Sequence, residues 1–181
     1  MCAAMSTSEP TMNTGVGEIH HVSVGVTDIE RSLPFYRDGL GLRKTLDTIV
    51  KGPGFERLLR LAPGSTARTV FLQGPTRIGQ IELIEWAVPG AESHPPARPG
   101  APGLCVVSFA VQRTLIDRIF ERIERVGGSC WTAPEASNLD GYGTIMAFIA
   151  EDPDGNMIEI VSLPSDEEIA HYRVEQPGGK A

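Results

Sequence analysis

Phe148-Ile149-Ala150-Glu151-Asp152-Pro153-Asp154-Gly155-Asn156-Met157-Ile158-Glu159-Ile160-Val161 holds two apolar runs on either side of a short polar segment. Asp152-Pro153-Asp154-Gly155 combines the residue types that favour a tight turn. The flanking runs, Thr144 to Ala150 and Asn156 to Ser162, therefore read as strands joined by that turn. Glu159 lies inside the second run, where a carboxylate is costly to bury unless it is paired or binds a metal.

Upstream, Ser129 to Thr132 reads as another strand. Before it, Leu115, Ile119 and Ile123 recur every four residues and predict a helix from about Thr114 to Val126, ended by Gly127-Gly128. Leu104 to Val111 predicts a strand ahead of that helix. Further back, Val88 to Gly103 carries Pro89, Pro95, Pro96, Pro99 and Pro102, and reads as a linker.

The same order of signals occupies the other side of the linker. Ile19 to Val26 reads as a strand, and Asp28 stands at a helix N-cap position. Leu33, Tyr36 and Leu40 mark the helix, which Gly39 and Gly41 stop. Strands follow at Leu42 to Thr48, Arg68 to Leu72 and Gln80 to Trp86. His21-Val-Ser-Val-Gly-Val26 lies over Val106-Val-Ser-Phe-Ala-Val111, and Ile81-Glu-Leu-Ile84 over Ile158-Glu-Ile-Val161. Shared order and shared motifs indicate duplication. The expected class is α+β: two tandem βαβββ modules, 18–87 and 104–163, with about eight strands. The linker is 88–103, and 1–17 and 164–181 read as tails.

Composition excludes several classes. The formal net charge is −7 and no Lys/Arg cluster stands out, so nucleic acid is not an expected partner. No apolar run approaches the roughly 20 residues of a membrane helix, and no secretory signal is visible at the N-terminus. Cys2, Cys105 and Cys130 are too sparse for a disulfide framework and fit a reducing cytoplasm.

Alternation places His21, Ser23 and Gly25 on one strand face, and His20, Val22, Val24 and Val26 on the other. Glu82 shares a face with Ile84 and Trp86, and Glu159 with Met157 and Val161. Glu85 falls opposite Glu82 and reads as solvated. One His and two carboxylates suit a divalent cation. Each of the three, taken alone, reads more readily as an ordinary strand residue; the symmetric placement of the two glutamates makes the set a candidate. His94, in the linker, and His171, near the C-terminus, have no evident partner.

Ile19-His-His-Val-Ser-Val-Gly-Val-Thr-Asp28, with Arg31-Ser-Leu-Pro-Phe-Tyr36 and Leu40-Gly-Leu42, is similar to the opening of glyoxalase I and methylmalonyl-CoA epimerase sequences. Ile81-Glu-Leu-Ile-Glu-Trp86 resembles their fourth strand, and the segment from Phe148 to Val161 resembles the final hairpin of the vicinal oxygen chelate superfamily. The resemblance spans about residues 18 to 163. It implies a curved mixed sheet around a central cup, a homodimer and a small-molecule substrate or ligand. It also implies a divalent metal (Mn, Fe, Ni, Mg or Zn) held by His21, Glu82 and Glu159. Glu82 or Glu159 would double as the proton-transfer base of a lyase or isomerase acting on a carbonyl or thioester compound. The fourth ligand position of the family falls on Val106, which cannot bind a metal, and the adjacent Cys105 faces away by alternation. The alternative is a metal-free binding protein of the bleomycin-resistance type. Ring-cleaving oxygenases of the superfamily use two His and one Glu, and no second His matches here. Arg57, Trp131, Tyr142 and Met157 are candidate cup residues.

Overall fold

The computed structural model describes residues 17–175 except 93, 101, 140 and 141. The first half contains β1 (His21–Val26), α1 (Ile29–Pro34), β2 (Arg43–Lys51), α2 (Pro53–Leu59), β3 (Thr66–Gln73) and β4 (Gln80–Ala87). The second contains β5 (Val106–Ala110), α3 (Ile116–Arg125), β6 (Ser129–Cys130), β7 (Glu135–Leu139), β8 (Gly143–Glu151) and β9 (Met157–Ser162), followed by α4 (Asp166–Glu175). The fold is α+β with two mixed sheets. One has the order β1-β4-β3-β2, the other β5-β9-β8-β6, with β7 also paired to β8. In each sheet the first strand runs parallel to the last and the remaining pairs are antiparallel.

Local chemistry accounts for the expected elements. Asp28 Oδ1 accepts hydrogen bonds from the backbone N–H of Glu30 at 2.8 Å and Arg31 at 3.3 Å, which caps α1. Past Pro34 the helix widens into one π-helical turn, Phe35–Gly39. The glycines after α3 have different tasks. Gly127 takes φ +82°, and a Cβ on Gly128 would lie 2.5 Å from Ile123 Cγ2 and 2.9 Å from Phe35 Cδ2. Gly128 thus lets Phe35 of the first half approach α3 of the second.

That contact belongs to one apolar core shared by both halves. Val24, Val26, Ile29, Phe35, Leu83, Ile119, Ile123, Phe148, Ile158 and Ile160 are among its buried members. The β8–β9 turn adds polar ties across the halves. Asp154 accepts from the backbone N–H and hydroxyl of Thr27 at 3.1 and 2.6 Å, and from Arg31 Nη2 at 2.5 Å. Tyr36 donates its hydroxyl to Asp152 at 2.8 Å, and Asn156 Nδ2 donates to the Gly25 carbonyl at 3.1 Å.

Several elements depart from expectation. α2 and β7 had no sequence signal: α2 opens with Pro53-Gly54 after Gly52, and every residue of β7 is exposed. α4 lies within the segment read as a tail. Its first turn is closed by a reciprocal pair, Ser165 N–H to Glu168 Oε2 at 2.7 Å and Glu168 N–H to Ser165 Oγ at 3.2 Å, a capping box. Glu85 is half-buried instead of solvated, and accepts the Ile29 N–H at the start of α1 at 3.0 Å. Within the 88–103 segment the described residues form neither helix nor strand. Residues 1–16 and 176–181, including Cys2, lie outside the described residues. No described helix is long and apolar enough to cross a membrane.

Cys105 and Cys130 are free thiols. Burial first, and then the Glu124 carboxylate, pushes the Cys130 thiol up to about 11. A thiol so raised holds roughly one thiolate in a thousand at pH 8. Peptide-resolved alkylation with iodoacetamide at pH 8 should therefore label Cys130 at least about tenfold more slowly than the same peptide once unfolded. Equal rates would show that the folded protein does not shield this thiol.

Candidate functional site

Strand register explains how the acidic positions are arranged. β1 pairs with β4 so that Ser23 lies opposite Glu82, and β5 pairs with β9 so that Ser108 lies opposite Glu159. In both sheets the serine hydroxyl donates to the neighbouring glutamate: Ser23 Oγ to Glu82 Oε2 at 2.5 Å, and Ser108 Oγ to Glu159 Oε2 at 2.5 Å. The duplication therefore repeats a hydroxyl–carboxylate pair as well as a strand order.

The two copies differ in what surrounds that pair. Glu82 Oε1 also accepts the Thr69 hydroxyl at 2.6 Å. Thr69 lies opposite Ile84, and Ala147, opposite Val161, stands at the corresponding place in the second sheet. Two residues before Ser23 is His21, whose Nε2 lies 3.4 Å from Glu82 Oε2. Two residues before Ser108 is Val106, so the second sheet has no imidazole there. His21 also packs edge-on against Phe71, with ring centroids 5.3 Å apart. The His21 side chain is 37% exposed and that of Glu82 14%, so the pair lies on an open face.

His20 departs from the alternation expected for it. β1 begins at His21, so His20 precedes the pleat and is free to turn beside its neighbour. Its Nδ1 is 2.8 Å from His21 Nδ1. Sequence reading singled out His21 and Glu82, and the structure brings them together. Ser108, Thr69 and His20 were missed as participants; their signal lies in strand register and strand ends, which one sequence does not display.

An imidazole nitrogen and a carboxylate oxygen at this separation offer two donors to a divalent cation. Among the described residues, no group of three or more His, Cys, Asp or Glu side chains is arranged to hold one. Glu159 stays with Ser108 on the other sheet and is not gathered with His21 and Glu82.

Other candidates scatter. Trp86 stacks on Phe55 of α2, with centroids 6.2 Å apart, and borders a cavity of about 750 Å³ that His94, Arg98 and Asp154 also line. Met157 is buried and borders a smaller cavity of about 130 Å³, together with Cys105 and Val106. Trp131 and Arg57 are exposed, and Tyr142 sits in the turn before β8. His171 falls in α4.

Known proteins match this chain over most of its length. A lactoylglutathione lyase-like protein, terB, of Aspergillus terreus is 28% identical over 169 residues, covering 86% of this chain and 80% of its own. The crystal structure of a glyoxalase family protein from Bacillus cereus superposes with a TM-score of 0.69 at 19% identity, covering 90% of this chain and all of that one. A glyoxylase/bleomycin resistance protein/dioxygenase domain from Frankia sp. EAN1pec gives a TM-score of 0.57 at 22% identity, covering 86% of this chain and 98% of that one. These two structures share the fold. The family model of the Glyoxalase/Bleomycin resistance protein/Dioxygenase superfamily matches residues 18–160, from before β1 into β9. With the repeated strand order and the paired Ser–Glu positions, that match places the chain in the Glyoxalase/Bleomycin resistance protein/Dioxygenase superfamily, to which it belongs.

Proposed function

We propose that this protein is a glyoxalase-type lyase or isomerase that moves a proton on a small carbonyl or thioester compound, at a centre shared between two copies of the chain. His21 and Glu82 of one copy and Glu159 of the second would together hold a divalent metal of the Mn, Fe, Ni, Mg or Zn group. The observation that carries this reading is the His21–Glu82 pair on an open sheet face, with Ser108–Glu159 as its counterpart on the other sheet. The same face of the first sheet also presents Leu46 and Trp86, 48% and 41% exposed, as apolar surface for a second copy to cover. A homodimer has the twofold symmetry such sharing requires.

In this reading the chain's own groups divide the work. Ser23 and Thr69 hold Glu82 in one orientation, so that a carboxylate oxygen is fixed beside a substrate C–H and takes its proton. Glu159 would do this from the second copy if the substrate lies the other way round. When bound, the metal supplies Lewis acidity to the oxygen that gains negative charge. A reducing cytoplasmic setting belongs with this reading.

Calorimetric titration of metal-free protein with Mn²⁺ and Ni²⁺ tests the metal half of the proposal. The parent should bind, and His21→Ala should bind at least about tenfold more weakly, as expected for loss of a ligand. Equal affinity in both would defeat the assignment. Val106 favours a second reading, a metal-free small-molecule binding protein, because the place equivalent to His21 carries no donor. A parent that binds no divalent metal as the dimer would make that second reading the better account.

A further inference from the structure

Two bare imidazole nitrogens repel at 2.8 Å, so one of the facing Nδ1 atoms of His20 and His21 carries the proton between them. The rings stand nearly perpendicular, at 88°, with centroids 5.1 Å apart. Gln80, buried at the start of β4, stands on the other side of His20. Its amide nitrogen donates to the Arg77 carbonyl oxygen at 3.1 Å, which fixes the orientation of the amide. The same nitrogen faces His20 Nε2 at 3.5 Å, a long contact.

An amide nitrogen only donates, so His20 Nε2 must accept. With both rings uncharged, the His20 proton then sits on Nδ1 and is donated to His21 Nδ1. His21 in turn carries its proton on Nε2, pointing towards Glu82 Oε2 at 3.4 Å. Every donor in the line, from Gln80 through His20 and His21 to Glu82, points the same way.

We propose that Gln80, acting through His20, sets the tautomer of His21 and so determines whether His21 presents an N–H or a bare nitrogen to the site. Gln80 and His20 are positioning residues in this scheme. Its consequence for metal rests on the reading of the site given above. A metal on His21 Nε2 needs that nitrogen bare, which moves the His21 proton to Nδ1. His20 must then accept at Nδ1 and turn its own N–H from Nε2 onto the Gln80 amide. Two donors would face each other there, so Gln80 holds metal affinity down. An acceptor at position 80 reverses every bond in the line and exposes a bare Nε2 to the cation.

The test is ring-nitrogen NMR on ¹⁵N-labelled, metal-free protein at alkaline pH. In the parent, His20 should carry its proton on Nδ1 and His21 on Nε2. In Gln80→Glu both should reverse. In His20→Ala, at an exposed position that folding tolerates, His21 should become a mixture of tautomers. A parent His21 protonated on Nδ1 would overturn the proposal. So would ring patterns left unchanged by both Gln80→Glu and His20→Ala. A second arm measures Mn²⁺ affinity, which should rise at least about tenfold in Gln80→Glu, equivalent to about 1.4 kcal/mol. Because Glu also adds charge, Gln80→Met serves as the uncharged control and should show a smaller rise. Reversed tautomers with unchanged affinity would uphold the tautomer line and count against the metal reading of the site.

Discussion

Co-expressing the Glu82→Ala and Glu159→Ala chains should restore about a quarter of the parent's metal-binding centres, while each variant alone retains almost none. The figure follows from symmetry. In the proposed centre, His21 and Glu82 come from one copy and Glu159 from the other. Random pairing makes about half of all dimers mixed, and each mixed dimer has one centre with both acids intact and one with neither. Metal content of the purified mixture, read against protein, measures this directly. If both acids served a centre within their own chain, every chain in the mixture would remain broken and no centre would return. A null result would therefore move the site back into one chain, and it would require Glu159 to reach His21 and Glu82, which the described residues do not show.

Asp152→Ala should cost about 3–5 kcal/mol of folding stability, the largest loss expected from any single polar substitution outside the site. Asp152 is 4% exposed and accepts four hydrogen bonds: from the Tyr36 hydroxyl, the backbone N–H of Asp154 and of Asn156, and Asn156 Nδ2. Alanine leaves all four donors without this acceptor, and Tyr36 lies in the core with no route to water. Burial first, and then the Asp152 carboxylate, pushes Tyr36 ionisation well above its ordinary range, so the hydroxyl remains a donor throughout the pH range of folding. Tyr36→Phe removes a single bond and should cost about 1 kcal/mol. Urea denaturation of the two variants beside the parent separates these values. An Asp152→Ala loss near that of Tyr36→Phe would show that the turn contributes little beyond one bond.

Asp152 also marks a limit of reading the chain alone. Its turn is visible in sequence because Asp, Pro and Gly select local backbone shapes. Nothing local says that the same turn docks on α1 of the other half, since those contacts join residues more than a hundred positions apart. The capped start of α1, the apolar spacing of α3 and the alternating strands were legible for the same local reason. β7 was not, because all five of its residues are exposed and its pairing comes from the backbone of β8. α2 carries Leu58 and Leu59 on the surface, so it lacks the buried stripe that announces a helix.

At the site, strand alternation in the sequence was enough to place His21 with Ser23, and to single out Glu82 and Glu159 as equivalent carboxylates. Side chains alternate along any strand whatever its neighbours, so these facts need no tertiary information. Register decided the rest. It set Ser23 against Glu82 and Ser108 against Glu159, brought Thr69 to the first pair, and put Val106 at the place equivalent to His21. The end of β1 freed His20 from the pleat and placed it, with Gln80, behind His21. Pairing register and strand ends are settled by backbone hydrogen bonds between distant segments and by the shared core, and those exist only once the chain has folded.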